Sequence, residues 1–94
     1  MDEIKIYRKQ IDLIDGKILL MLKKRFAVVE KIGAAKSRLN VPVEDKKRIR
    51  ELLRKRASLA AEYGLPGEMA GKIFGEIVAY SMDRQRKPGR RNRR

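Results

Sequence analysis

The sequence contains no cysteine and no histidine. Without cysteine there is no disulfide and no thiolate metal site. Without histidine there is no imidazole ligand, and the commonest general base is missing. Much nucleophilic and metal-dependent enzyme chemistry is excluded by these two absences.

Large aromatic side chains are also scarce, because they make up only 5% of the residues and there is no tryptophan. A length of 94 residues is that of one domain. A chain this short with few large rings gains stability by burying its apolar faces against a second copy. We therefore expect one domain that forms an oligomer.

Long hydrophobic runs are missing as well. The longest unbroken apolar run is Ile18–Leu22, whereas a membrane span needs roughly 18 residues. The chain opens with Asp2 and Glu3 instead of a basic segment followed by an apolar one. These features predict a soluble, cytoplasmic protein.

Positive charge is abundant but unevenly spread. The formal net charge is +13, and residues 84–94 carry seven basic residues and no acidic one, which leaves 18 basic and 12 acidic residues, or +6, on residues 1–83. Segment 87–94 has no apolar periodicity and contains Pro88 and Gly89, so we predict a disordered tail that binds polyanions weakly and nonspecifically. Residues 1–86 would form the folded domain, whose own positive charge suits an anionic ligand.

The remaining pattern is helical. Residues from about 3 to 38 contain no proline and repeat apolar side chains every three or four positions, as an amphipathic helix does. At roughly 1.5 Å per residue this helix is about 50 Å long, which is longer than a compact monomer of this size is wide. Gly16 and Gly33 lower its helix propensity, although either one permits close helix packing.

Two shorter helices follow. Asp45 stands where an N-cap precedes a second helix that Gly64 ends, and Leu65-Pro66 opens a third. The expected buried residues of these helices are Ile49, Leu52, Leu53, Leu59, Ala60, Met69, Ile73, Phe74, Ile77 and Val78. The sequence thus predicts an all-α fold with one long N-terminal helix and two shorter ones, assembled as an intertwined homodimer.

Several polar residues interrupt the apolar stripes. Arg25 is in register with isoleucines at multiples of seven residues, Lys36 lies on nearly the same face, and Ser81 and Gln85 continue the stripe of the third helix. Because a buried cation needs an anion, Arg25 has either a protein carboxylate or a ligand as its partner. Each residue also has a simple structural interpretation: Lys36 as a solvated side chain, Asp45 as a helix cap, and Ser81 and Gln85 as residues near a frayed helix end.

Taken together, the polar positions match a known family. The segments that carry the match are Arg8, Ile11-Asp12, Ile14-Asp15, Ile18-Leu19, Lys24-Arg25, Gly33-Ala34-Ala35-Lys36, Val41-Pro42-Val43 and Asp45-Lys46-Lys47-Arg48. From about residue 4 to residue 86 the chain resembles the all-helical chorismate mutases. The resemblance implies an isomerase of phenylalanine and tyrosine biosynthesis, in the shikimate pathway, that rearranges chorismate to prephenate without a cofactor, a metal or a covalent intermediate.

The resemblance also implies a role for each polar residue. Arg8 and Arg25 would bind the two substrate carboxylates, with Arg48 also in the pocket and Ser81 assisting. Lys36 and Gln85 would donate hydrogen bonds to the ether oxygen, and Asp45 would meet the ring hydroxyl or orient its neighbours. Lys36, Gln85 and Arg25 are the residues expected to carry catalysis.

Helix geometry adds a requirement to this assignment. Arg8 and Arg25 are 17 residues apart on one helix, or about 25 Å along its axis. One small substrate cannot span that distance. If both arginines bind it, Arg8 must come from the other subunit of an intertwined dimer.

One position departs from the family pattern. After the arginine of the second helix many members carry a glutamate that receives the ring hydroxyl, whereas this chain has Ile49. An apolar residue there also resembles the isochorismate pyruvate lyases, which share the fold, so that activity is an alternative. A basic helical nucleic-acid-binding protein, suggested by the pI near 10.5, and a catalytically silent helical dimer are alternatives of other classes.

Overall fold

A computed structural model describes residues 2–86 as three helices, α1 (Glu3–Leu39), α2 (Lys46–Glu62) and α3 (Gly67–Arg86), and no strand occurs among them. The prediction of one long and two shorter helices is confirmed. The basic tail expected at residues 87–94 lies outside the described residues.

Helix α1 has a residue suited to capping at each end. The side chain of Asp2 accepts a hydrogen bond from the backbone N–H of Ile4 at 3.0 Å and caps the N-terminus. Asn40 takes a left-handed conformation with φ 56° at the C-cap, a conformation that asparagine tolerates better than most residues. The helix therefore runs without a break for 37 residues.

The boundaries of α2 and α3 follow the sequence signals with one shift. Asp45 caps α2 by accepting the N–H of Arg48 at 3.0 Å. Gly64 lies in the turn between the helices with φ 75°, which a residue without Cβ adopts freely. Pro66 precedes α3 instead of lying in its first turn, and its carbonyl accepts the N–H of Ala70 at 3.2 Å.

Helix α3 lies between the other two and packs against both. The buried core is small and consists of Val29, Leu52, Ala60, Ala70 and Val78. Three expected core residues, Leu59, Met69 and Ile73, are more than a third exposed, so the prediction was wrong for them within one chain. The physical reason is the flat arrangement, 58 × 35 × 14 Å, in which each helix has a face that no other helix covers.

The N-terminal half of α1 carries an apolar stripe that the rest of the chain leaves largely uncovered. Its apolar side chains are exposed, among them Ile4, Tyr7, Ile11, Ile14 and Ile18, each 53–57% exposed. Burying such a stripe is the usual source of stability for an amphipathic helix. One chain alone leaves that stabilisation unrealised.

None of the described helices combines the length and apolar character that a membrane-spanning segment requires.

Candidate functional site

A cavity of about 260 Å³ opens where the three helices meet. Six of the seven polar residues singled out in the sequence line it: Arg25, Lys36, Asp45, Arg48, Ser81 and Gln85. Apolar side chains of Val29, Leu52 and Val78 form its floor. The site therefore has charged and amide groups held above a packed core, a common arrangement in small-molecule sites.

Arg25 enters the cavity from α1 and is held in place by α3. One guanidinium nitrogen donates to Ser81 Oγ at 2.7 Å, while the Ser81 hydroxyl donates to the carbonyl of Ile77 at 2.6 Å. Ser81 is only 5% exposed. Because the hydroxyl uses its single proton on its own helix, its oxygen is left to accept from Arg25.

The surroundings of Arg25 are strongly cationic. Burial, followed by the positive charges of Arg56 and then Arg48, lowers the pKa of Arg25 below its ordinary value. Among residues 2–86, Arg25 has the Ser81 hydroxyl as its side-chain partner and forms no ion pair with a carboxylate. The structural ion pair that the sequence left open is therefore not formed there, and an anionic ligand would relieve the repulsion between the arginines.

Lys36 and Gln85 form the second group of the site. The ammonium of Lys36 donates to the carbonyl of Val43 at 2.9 Å and to Gln85 Oε1 at 2.8 Å. Since an ammonium has three donors and no acceptor, the amide oxygen of Gln85 must face it. One N–H of Lys36 and the amide NH2 of Gln85 are then left to donate into the cavity.

Asp45 and Arg48 form the rim on α2. One carboxylate oxygen of Asp45 is used as the helix cap, and both side chains are exposed. Ile49, the position that departs from the family pattern, also lines the cavity and is half-buried. The cavity wall near the start of α2 is thus one cation, one carboxylate and one aliphatic group.

Arg8 is the expected site residue that one chain does not bring to the cavity. It is exposed and lies in the N-terminal half of α1. Sequence reasoning missed the Val43 carbonyl as a partner of Lys36 and the ion pair of Glu30 with Arg84, and it anticipated close packing at Gly33 without identifying α3 as the partner. Only the glycine gave a local signal, because a glycine inside a helix lowers stability unless close packing compensates.

Fold and cavity together describe an all-helical protein whose three helices surround a cavity lined by Arg25, Lys36 and Arg48. The sequence profile of the family described as chorismate mutase type II matches residues 7–86. The chain belongs to the type II chorismate mutase family. This membership favours an isomerase over the nucleic-acid-binding alternative.

Solved structures agree with this membership. The Form II chorismate mutase of Thermus thermophilus has a TM-score of 0.81 and 34% identity, covering 92% of this chain and 97% of that one. A conserved hypothetical protein from Pyrococcus furiosus has a TM-score of 0.72 and 39% identity, covering 90% of this chain and 97% of that one.

Curated relatives differ in length. The bifunctional chorismate mutase/prephenate dehydratase of Aquifex aeolicus is 37% identical over 90 residues, which are 93% of this chain and 25% of that protein. The chorismate mutase of Methanocaldococcus jannaschii is 27% identical over 74 residues, 79% of this chain and 75% of that protein. The chain spans about a quarter of the length of the bifunctional relative from Aquifex.

Proposed function

We propose that the chain catalyses the rearrangement of chorismate to prephenate in a site completed by a second copy of itself. The observation that carries the proposal is the cavity of a family member in which Arg25, Lys36 and Gln85 converge. The reaction belongs to the biosynthesis of phenylalanine and tyrosine, and we expect it in the cytoplasm.

The chemistry fits the groups present. In the rearrangement the ether C–O bond breaks as a C–C bond forms within one molecule, so no atom is transferred to the protein and no proton has to move. The protein's task is to hold the folded conformer of a dicarboxylate and to stabilise negative charge that develops on the ether oxygen. A chain without histidine and cysteine can do both.

Within the cavity we assign three roles. Arg25, supported by Ser81, binds one carboxylate, and Arg48 adds positive charge at the rim. Lys36 and Gln85 direct their remaining donors at the ether oxygen, where hydrogen bonds preorganised in a partly buried site stabilise the transition state more than the ground state. Asp45 meets the ring hydroxyl or orients Arg48, whose backbone it already binds.

The second carboxylate is assigned to Arg8 of a second copy. The exposed apolar stripe of α1 continues into an apolar groove between α1 and α3, lined by residues that include Ile18, Met21, Phe74 and Ile77, and a second copy could bury both. In a symmetric dimer each α1 would carry its Arg8 to the cavity of the other subunit. Two copies then form two sites, each made from both chains.

The direct test is the fate of chorismate and, separately, of isochorismate with the purified protein at neutral pH, resolving prephenate, pyruvate and salicylate. We expect prephenate from chorismate. Pyruvate and salicylate from isochorismate alone would make the protein a lyase, which is the alternative that the aliphatic Ile49 suggested. Turnover of neither substrate would contradict the proposal.

Sharing of the site is tested with mixed dimers. Arg8→Ala and Arg25→Ala should each abolish activity. When equal amounts are unfolded and refolded together, half of the dimers contain both variants and each of these has one intact site, so about a quarter of the wild-type activity should return. If no activity returns although heterodimers are detected by mass spectrometry, each site is confined to one chain.

A further inference from the structure

The backbones of α1 and α3 touch at Gly33. A Cβ placed on Gly33 would lie 2.6 Å from the carbonyl oxygen, 2.8 Å from Cα and 3.1 Å from the carbonyl carbon of Gln85. All three are backbone atoms, so a rotamer change cannot relieve the overlap. Among residues 2–86, nothing lies within 4 Å of a Cβ placed on Gly16 of the same helix, so the overlap is specific to Gly33.

This contact lies between two polar contacts that join the same helices. Three residues before Gly33, the Glu30 carboxylate accepts from Arg84 Nε at 2.6 Å and pairs with its second nitrogen. Three residues after Gly33, Lys36 donates to the side chain of Gln85. Spacings of three keep these groups on neighbouring parts of one helix face, so the last turn of α3 is fixed to α1 at three successive points.

Two aromatic rings lie beside the Arg84 guanidinium and add to its contact with Glu30. The Arg84 guanidinium lies 5.7 Å from the ring centroid of Phe26 and 5.6 Å from that of Tyr80, and the two rings meet edge to face at 4.8 Å. Burial acts to lower the pKa of Arg84, but the hydrogen bonds with Tyr80 and Glu30 and the charge of Glu30 together raise it. Arg84 is thus held as a cation beside Gln85.

We propose that Gly33 is a positioning residue for catalysis: its missing side chain lets the end of α3 approach α1 closely enough for Gln85 to meet Lys36, and the Glu30 to Arg84 pair maintains that approach. Gly33 touches neither substrate nor reacting atoms and acts through Gln85 alone. This inference rests on the proposed function. It adds that the relative position of the two donors, Lys36 and Gln85, is set by the backbone contact at Gly33.

Substitution of Gly33 by alanine tests the idea, with Gly16→Ala as the matched control. Alanine would push the last turn of α3 outward, and a displacement near 1 Å at a catalytic group costs on the order of tenfold to a hundredfold in rate. We expect kcat to fall by about tenfold or more while KM for chorismate stays within about twofold, because Arg25 and Ser81 keep their contact. Gly16→Ala should leave kcat and KM unchanged.

A double-mutant cycle separates positioning from general damage. If Gly33 acts through Gln85, then adding Gly33→Ala to a Gln85→Ala protein should not lower kcat further. An equal fold loss in both backgrounds would overturn the proposal. Should Gly33→Ala fail to fold, Glu30→Gln takes its place in the same cycle with the same criterion.

Measuring prephenate formation by the wild-type protein distinguishes a failure of this proposal from a failure of the proposed function. If wild type makes no prephenate, the proposed function fails, and amide hydrogen exchange of residues 82–86 then decides the positioning claim alone. Faster exchange there in Gly33→Ala, with no change in Gly16→Ala, supports the backbone contact as the constraint. Unchanged exchange in both variants would overturn it.

Discussion

Arg25 carries its charge at a cost to the stability of the unliganded fold, which is consistent with its proposed role in binding an anionic ligand. Its pKa is lowered by burial and by Arg56 and Arg48, so folding disfavours its charged form. Below that pKa, a range that includes neutral pH, the charge reduces stability, and the loss is relieved only as pH rises through the lowered pKa. A destabilising charge at Arg25 is expected if the residue is retained for a function and not for the stability of the unliganded protein.

We therefore expect Arg25→Gln to raise the Tm of the unliganded protein by on the order of a few degrees and to abolish turnover. Glutamine removes the charge and keeps a donor for Ser81. Differential scanning calorimetry at neutral pH measures the Tm, with Arg54→Gln as a control at an exposed arginine of α2. A clear fall in Tm for Arg25→Gln would contradict this account.

Gln85 is a donor that does not titrate, and the substitution Gln85→Glu would replace it with one that does. An amide donates without titrating, so no loss of wild-type activity through neutral pH should trace to Gln85. In Gln85→Glu the carboxyl donates only when protonated, and kcat should fall steadily as pH rises above the pKa of the new carboxyl, near 4.3 for an unperturbed glutamate. A kcat profile of Gln85→Glu parallel to that of wild type from pH 4 to 8 would remove Gln85 from the donor role.

At the same scale, the sequence predicted which polar residues face inward better than it predicted their partners. Helical spacing placed Arg25, Ser81 and Gln85 on inward faces, and all three line the cavity. Spacing could not reveal the carbonyl of Val43 as a partner of Lys36, because a loop carbonyl has no sequence signature. Contacts between distant helices, such as Glu30 with Arg84, depend on the relative rotation of the helices, which one sequence does not specify.

At the element scale, Asp45 has an observed role as the cap of α2 and a proposed role in substrate binding, and two substitutions separate them. Its carboxylate caps α2, and loss of an N-cap costs about 1 kcal/mol. Asp45→Ala should lower the free energy of unfolding by that amount, whereas Asp45→Asn should retain it, since asparagine is an equally good cap. Urea denaturation measures both.

Activity then separates the two functions of Asp45. If the charge itself meets the substrate, kcat/KM should fall in Asp45→Asn although stability is kept. Full activity in Asp45→Asn together with reduced activity in Asp45→Ala would restrict Asp45 to its capping role.

The helices themselves were predictable because their ends carry local chemistry. Asp45 marks the start of α2, and the proline-free amphipathic repeat marks α1. The start of α3 was placed one or two residues early because proline is common at the first helical position, whereas here Pro66 precedes the helix. Which expected core residues stay exposed depended on the packing of all three helices, and spacing within one helix does not contain that information.

At the scale of the whole molecule, a charge introduced into the exposed stripe of α1 should affect a single chain and the proposed dimer differently. Ile18 is 53% exposed within one chain, so Ile18→Lys should be harmless to a monomer. In a dimer it would bury a charge in the interface. We expect Ile18→Lys to shift the sedimentation coefficient to that of a monomer and to lose activity.

Tyr63, 72% exposed in the turn after α2, provides the control for that substitution. Tyr63→Lys should change neither sedimentation nor activity. Wild type and Ile18→Lys sedimenting alike, with equal activity, would refute the shared site.

The order of the helices in space differs from their order along the chain, because α3, the last helix, packs against both of the others. During synthesis α1 and α2 are therefore complete before the helix that packs against both of them. At translation rates of about 5 to 20 residues per second, the stretch from the end of α2 to the end of α3 takes on the order of one to five seconds. For that interval the two amphipathic helices lack their common partner, so apolar faces that α3 later covers are exposed while the chain is being made.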